Sequence, residues 1–180
     1  MFGDLHIHMI LDGVYYRAAI DAQKEHPLDG LVRARLSDYQ ARGVCLLRDG
    51  GDAWGVSLRA RELAGEYGID YRSPAFPIYR RGHYGAFIGR GFDTEDEYRA
   101  LLDEAGEKRA DFIKLMISGL IDFDHFGVLT EPGPEPQDIR RMIELAHAAG
   151  FAVMAHANGD RAVMAALQAG VDSIEHGAYL

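Results

Sequence analysis

The sequence predicts an α/β fold with parallel strands, closed as a (β/α)8 barrel of which about six of the eight strand–helix units are present. Three observations lead there. Short apolar runs alternate with segments of helical spacing along the 180 residues, a pattern that requires parallel strands joined by right-handed crossovers. Most of the helical segments close on glycine, the residue a helix C-terminus prefers. Four of the strands end on side chains able to ligate a metal. An open sheet would spread those ends along an edge, whereas a barrel turns them toward one axis at its C-terminal mouth.

The elements follow in order. FGDLHIH (2–8) is strand one, and RARLSDYQARG the helix after it, closing on Gly43. VCLLR (44–48) is strand two, followed by the helix SLRARELAGEYG, closing on Gly68. IDYRS (69–73) is strand three, and TEDEYRALLDEAGEKRA is the one helix without a closing glycine. DFIKLMI (111–117), FAVMAH (151–156) and VDSIEH (171–176) are strands four, five and six. Between them lie PQDIRRMIELAHAAG and DRAVMAALQAG, closing on Gly150 and Gly170. Runs of this length and composition are strands, and the 3.6-residue periodicity between them marks helices. EPGPEP at 131–136 is too short for an interdomain linker, so residues 1–180 are expected to form a single domain.

Composition narrows the function. Hydrophobic content of 48% with 26% charged residues is ordinary for a globular chain. Nineteen basic residues stand against 28 acidic ones, a net of -9, and no cluster of Lys or Arg could neutralise a phosphate backbone, so nucleic acid is excluded as a partner. The one cysteine, Cys45, lies in VCLL and is expected to be a small core residue in a reducing compartment. No apolar run is long enough to span a membrane, and MFGDLHIHM lacks the basic-then-apolar pattern of a signal peptide, so a cytoplasmic location is expected.

Chemistry concentrates at four strand ends. His6 and His8 are two apart on strand one and so share a face, where they could share a metal ion. Taken alone, the pair is better explained as two hydrogen-bonded histidines. Lys114 is one of only three lysines against sixteen arginines, and it sits inside the apolar strand DFIKLMI. Desolvation disfavours a buried ammonium and drives the amine neutral. A neutral amine can take up carbon dioxide as a carbamate, whose two oxygens can bridge two metal ions. An isolated lysine whose head reaches solvent at the strand end would be the simpler account. His156 ends strand five and His176 ends strand six; each is unremarkable by itself, and the four strand ends together are not.

HxH on strand one, Lys on strand four and single histidines ending strands five and six resemble the amidohydrolase superfamily of metal-dependent hydrolases. The stretches GVCLLRDGG, FIKLMISG, VMAHANGDRAV and AGVDSIEHG are similar to its imidazolonepropionase and Xaa-Pro dipeptidase-like branch. The resemblance implies a TIM-type barrel and two divalent ions, with zinc the default for imidazole and oxygen ligands. His6 and His8 would hold one ion, His156 and His176 the other, and carboxylated Lys114 would bridge them. It also implies hydrolysis of an amide, peptide or cyclic amide C–N bond in a small-molecule substrate by a metal-bound hydroxide.

The family's proton-shuttling aspartate at the end of strand eight has no counterpart here, so no catalytic residue is assigned. A barrel of this kind needs about 250 residues, and the expectation is that the chain is an N-terminal piece of a longer protein, inactive alone or open to forming a homo-oligomer. The family's small β-sandwich domain is not visible. Asp4 is expected to support the histidine ligands from behind or to hydrogen-bond in the core rather than to ligate metal, and Asp122 and Asp124 are expected to be solvated loop residues. His83, Tyr84 and His125 are candidates to overhang the site and contact substrate, with Arg80 and Arg81 suited to a substrate carboxylate. His147 near a helix C-terminus is accounted for by the helix dipole, and His26 has no partner that can be named. Two further readings stand beside the hydrolase: a non-catalytic metal-binding or interaction fragment, and a nucleotide-binding open sheet, which lacks the GxGxxG fingerprint between strand one and its helix.

Overall fold

The computed structural model describes residues 2–180. They divide into two compact units, one ending at Phe76 and the other beginning at Pro77. No helix among the described residues is long and apolar enough to cross a membrane.

The first unit runs β1 (Phe2–Ile7), α1 (Tyr16–Asp21), α2 (Asp29–Ala41), β2 (Val44–Asp49), α3 (Val56–Ala64), a 3-10 turn at Gly65–Tyr67 and β3 (Asp70–Arg72). Its strands pair in parallel in the order β1-β2-β3. Val32 and Leu36 of α2, Leu47 of β2, and Val56, Ala60 and Leu63 of α3 are buried and make its core. Asp52 fixes where α3 starts: its carboxylate accepts the backbone N–H groups of Trp54, Val56 and Ser57, at 2.9, 3.1 and 2.7 Å. The last two are donors that the first turn of a helix cannot satisfy internally. Cys45 is only partly buried, and its thiol donates to the Phe2 carbonyl across the ladder. It departs from the expected core position because β2 shields only its later residues fully.

The second unit runs β4 (Pro77–Arg80), β5 (Arg90–Phe92), α4 (Glu95–Glu107), β6 (Ile113–Met116), α5 (Pro136–Ala148), β7 (Val153–Ala157), α6 (Asp160–Gln168) and β8 (Ser173–His176). The order is β5-β4-β6-β7-β8, all parallel. The strands β6 and β7 are buried along their whole length, which is why they read as continuous apolar runs and not as alternating ones. Thr94 caps α4 by accepting the Glu97 amide, and Tyr98 crosses from α4 to donate to the Met142 carbonyl of α5 at 2.9 Å.

All six expected strands form, each within two residues of the expected ends. The described residues hold eight strands, however, and not six. The two additions, β4 and β5, fall between strand three and the helix TEDEYRALLDEAGEKRA, a stretch to which the sequence assigns no element. They are four and three residues long and carry Pro77, Gly91 and charged side chains, so neither shows the apolar pattern by which strands are recognised. The short helix α1, which has no side-chain cap, was likewise without a sequence signal. Gly43, Gly68, Gly150 and Gly170 all adopt positive φ, as helix-closing glycines should. The helix without a closing glycine ends instead with Arg109 at φ 54.

Candidate functional site

In the first unit, β1 delivers His6 and His8, and their ring centroids lie 5.6 Å apart. His8 Nδ1 is 2.9 Å from the Gly51 carbonyl oxygen. A carbonyl can only accept, so Nδ1 carries the proton and donates it, and the lone pair of the neutral ring sits on Nε2. The turn after β2 is built around this ring. A Cβ on Gly50 would stand 2.5 Å from His8 Cε1 and 2.7 Å from Nε2, so only glycine leaves room. Asp49, fully buried, accepts the amides of Met9 at 3.1 Å and Gly51 at 2.6 Å, together with the Tyr71 hydroxyl. Burial pushes its carboxyl up to about 6, partly countered by the Tyr71 hydroxyl and the two amides. Asp4 accepts the His6 amide at 3.4 Å. An open hollow of about 630 Å³ is lined by Asp4, His6, His8, Arg35 and Tyr39, among others.

In the second unit, Lys114 is wholly buried on β6 and His156 is 3% exposed on β7. The ladder register places Lys114 opposite Met154, and His156 opposite Glu175. Side chains alternate along a strand, so Lys114, His156 and Glu175 share one face of this sheet. His176 pairs with Ala157 and would face the other way. Its backbone, at φ 72, leaves the extended conformation, and its ring packs edge-on against His156 with centroids 4.7 Å apart. His156 Nε2 lies 3.2 Å from the Gly119 carbonyl oxygen and therefore donates to it. Asn158 donates to the same oxygen at 3.2 Å.

The loop after β4 also reaches this place. The Tyr84 ring lies 5.0 Å from that of His156. Glu131 holds the loop by accepting from His83 Nδ1 at 3.0 Å, from the Tyr84 amide at 3.0 Å and from the Gly133 amide at 2.9 Å. Burial alone would raise the Glu131 carboxyl, but these three donors hold it below the ordinary carboxylate value.

The other sequence candidates are engaged elsewhere. His125 lies in an exposed loop against Asp122, which also accepts the Asp124 and His125 amides, a turn built from local bonds. Arg80 pairs with Asp138 at 3.0 Å, and Arg81 with Asp93 and Glu97 at 2.7 and 2.8 Å. The expected preference for a substrate carboxylate thus meets arginines already matched to acids. His147 donates to Asp172 at 2.9 Å, a partner beyond the helix dipole. Asp49, Glu131 and Glu175 were not singled out in the sequence. Asp49 follows an arginine at the end of an ordinary strand, Glu131 lies in a loop, and the burial of Glu175 shows only in the register. Within either unit, no three His, Cys, Asp or Glu side chains among the described residues cluster as a ready metal cage.

No protein-family model matches the sequence. Ochratoxinase of Aspergillus niger is 28% identical over 141 residues, covering 76% of this chain and 27% of the enzyme. Among solved structures, an uncharacterized protein aligns with a TM-score of 0.75 at 25% identity, over 99% of this chain and 47% of that one. A Xaa-Pro dipeptidase with bound methionine in its active site aligns with a TM-score of 0.68 at 20% identity, over 97% and 47%. The structural neighbours are amidohydrolase-family proteins. The chain matches roughly their N-terminal half and spans about a quarter of the curated relative. Parallel sheets and these neighbours are consistent with part of a barrel.

Proposed function

We propose that the chain carries the metal-binding part of a hydrolase that cleaves an amide, peptide or cyclic amide C–N bond. The observation that carries this reading is the second unit's grouping: two imidazoles 4.7 Å apart on neighbouring strands, with a wholly buried lysine on the same face as one of them. Imidazoles and a carbamate oxygen are donors that zinc and its neighbours accept, so the side chains fit the ions that the amidohydrolase resemblance implies. His6 and His8 would hold one ion in the first unit; in the second, His156 and His176 would hold another, with Lys114 as a further ligand once its amine takes up carbon dioxide as a carbamate and releases one proton. When bound, the ions supply Lewis acidity toward a carbonyl and lower the pKa of a water.

The chain's own groups orient and exclude. The Gly51 and Gly119 carbonyls hold the Nδ1 proton of His8 and the Nε2 proton of His156, fixing each tautomer as partners of ligand histidines do. The complete burial of Lys114 keeps water from its amine. Tyr84, whose amide is held by Glu131 and whose ring lies beside His156, and its neighbour His83 would meet a substrate. Prolidase-like and lactam-opening chemistry both suit this arrangement.

The test is elemental analysis of the purified chain and of its His156→Ala and Lys114→Met variants, with hydrolysis of a panel of dipeptides and lactams. About two zinc ions per wild-type chain, falling in both variants, with turnover of a panel member, is the expected result. Metal without turnover favours the non-catalytic metal-binding reading. A chain that takes up no metal removes the proposal.

A further inference from the structure

We propose that Asp49 and Gly50 are positioning residues for His8, forming with Gly51 a cradle that sets the place and the tautomer of its imidazole. The use of that imidazole for metal rests on the reading above; the cradle does not. Two segments meet at the ring: the end of β1, through Met9, and the turn after β2, through Gly50 and Gly51. Asp49 joins them by accepting the Met9 amide with one carboxylate oxygen and the Gly51 amide with the other, at 3.1 and 2.6 Å. Gly51, in the left-handed region at φ 81, then turns its carbonyl to the His8 Nδ1 proton at 2.9 Å.

Gly50 forms the floor, where a Cβ would come within 2.5 Å of the ring. Real Cβ contacts are never that close, so the ring is seated on bare backbone. The Tyr71 hydroxyl donates to Asp49 from β3, and makes no hydrogen bond to Met9, Gly50 or Gly51 among those described. Removing the Asp49 carboxylate should unlock the ring, and removing the Tyr71 hydroxyl should not.

The experiment uses the 180-residue chain, metal-free, with histidine ring nitrogens read by long-range proton–nitrogen correlation, followed by zinc titration against a chromophoric chelator. In the wild type, His8 is expected to show one tautomer, protonated at Nδ1. Asp49→Asn and Gly50→Ala should each convert it to an exchanging mixture and weaken zinc binding by roughly 10–100-fold, as loss of a ligand's supporting contacts does. Tyr71→Phe should keep both the signature and the affinity. Gly50→Ala leaves every bond of Asp49 in place at a backbone position without positive φ, so it decides alone if Asp49→Asn does not fold.

Wild-type signatures in both Asp49→Asn and Gly50→Ala, or an equal loss in Tyr71→Phe, would overturn the inference. A wild-type chain with the Nδ1 tautomer and no zinc uptake removes the metal reading and leaves the cradle. Zinc uptake with unchanged signatures in the variants does the reverse.

Discussion

Lys114 sets the stability of a single residue against the chemistry proposed for it. Its side chain is wholly buried on β6, and an amine taken from water there costs more than an apolar chain of equal length. Lys114→Met is therefore expected to raise the melting temperature of the metal-free chain, by roughly 2–4 °C for each kcal/mol of desolvation relieved, while abolishing its share of metal uptake. Differential scanning calorimetry of the two metal-free chains checks this; a lower melting temperature in the variant would mean that the amine's surroundings compensate its burial.

At this scale the sequence was informative about residue type and weak on partners. His6, His8, Lys114, His156 and His176 stand out because imidazoles and an amine are unusual in apolar strands. Asp49 and Glu131 do not, because their donors include backbone amides 40 and 47 residues away, and every residue type offers a backbone amide. Glu175 needed the β7–β8 register to be placed on the face of His156.

Among the elements, α4 and α5 are tied at their surfaces by Glu95, which accepts from Arg141 at 2.8 and 2.9 Å and from Arg99 one turn along its own helix at 3.0 and 2.7 Å. The Arg141 and Arg99 guanidinium groups hold its carboxyl down to about 2 from an ordinary 4.5. Because the folded value is depressed, this contribution to stability is present above pH 4.5 and is lost as the pH falls toward about 2. The wild type should accordingly lose denaturant resistance more steeply than Glu95→Gln across that window; parallel curves would assign the ion pairs no weight, as is common for exposed pairs. Helix ends were readable where glycine closes them, since only there does a residue type report a left-handed backbone. Arg109, which adopts φ 54 after α4, gives no such sign. The strands β4 and β5 escaped notice for the reason that Gly91 illustrates: a Cβ there would meet the Tyr79 ring at 2.8 Å, so close packing imposes a residue that otherwise marks a loop.

For the whole molecule, the boundary between Phe76 and Pro77 has no counterpart in composition, because the residues around it, Ser73, Ala75 and Phe76, are buried and not linker-like. The parallel α/β class was legible from alternation alone. In the first unit β1 is an outer strand of its sheet, and it exposes Phe2 at 68% and Leu5 at 50%. An open strand edge carrying apolar side chains invites pairing with another chain. The chain is expected to self-associate as its concentration rises, and Leu5→Lys to suppress this, both read by sedimentation velocity. A wild type that stays monomeric at every concentration would rule out this edge as a contact.

Every ladder in both sheets is parallel, so no strand can zip onto its chain neighbour through a tight hairpin. Each pairing waits for an intervening crossover, and β4 is not flanked on both sides until β6 has been made. Such non-local closure slows folding. During synthesis the apolar runs of β6 and β7 therefore spend time uncovered, and the yield of native chain should depend on temperature and on chaperone supply more than on its final stability.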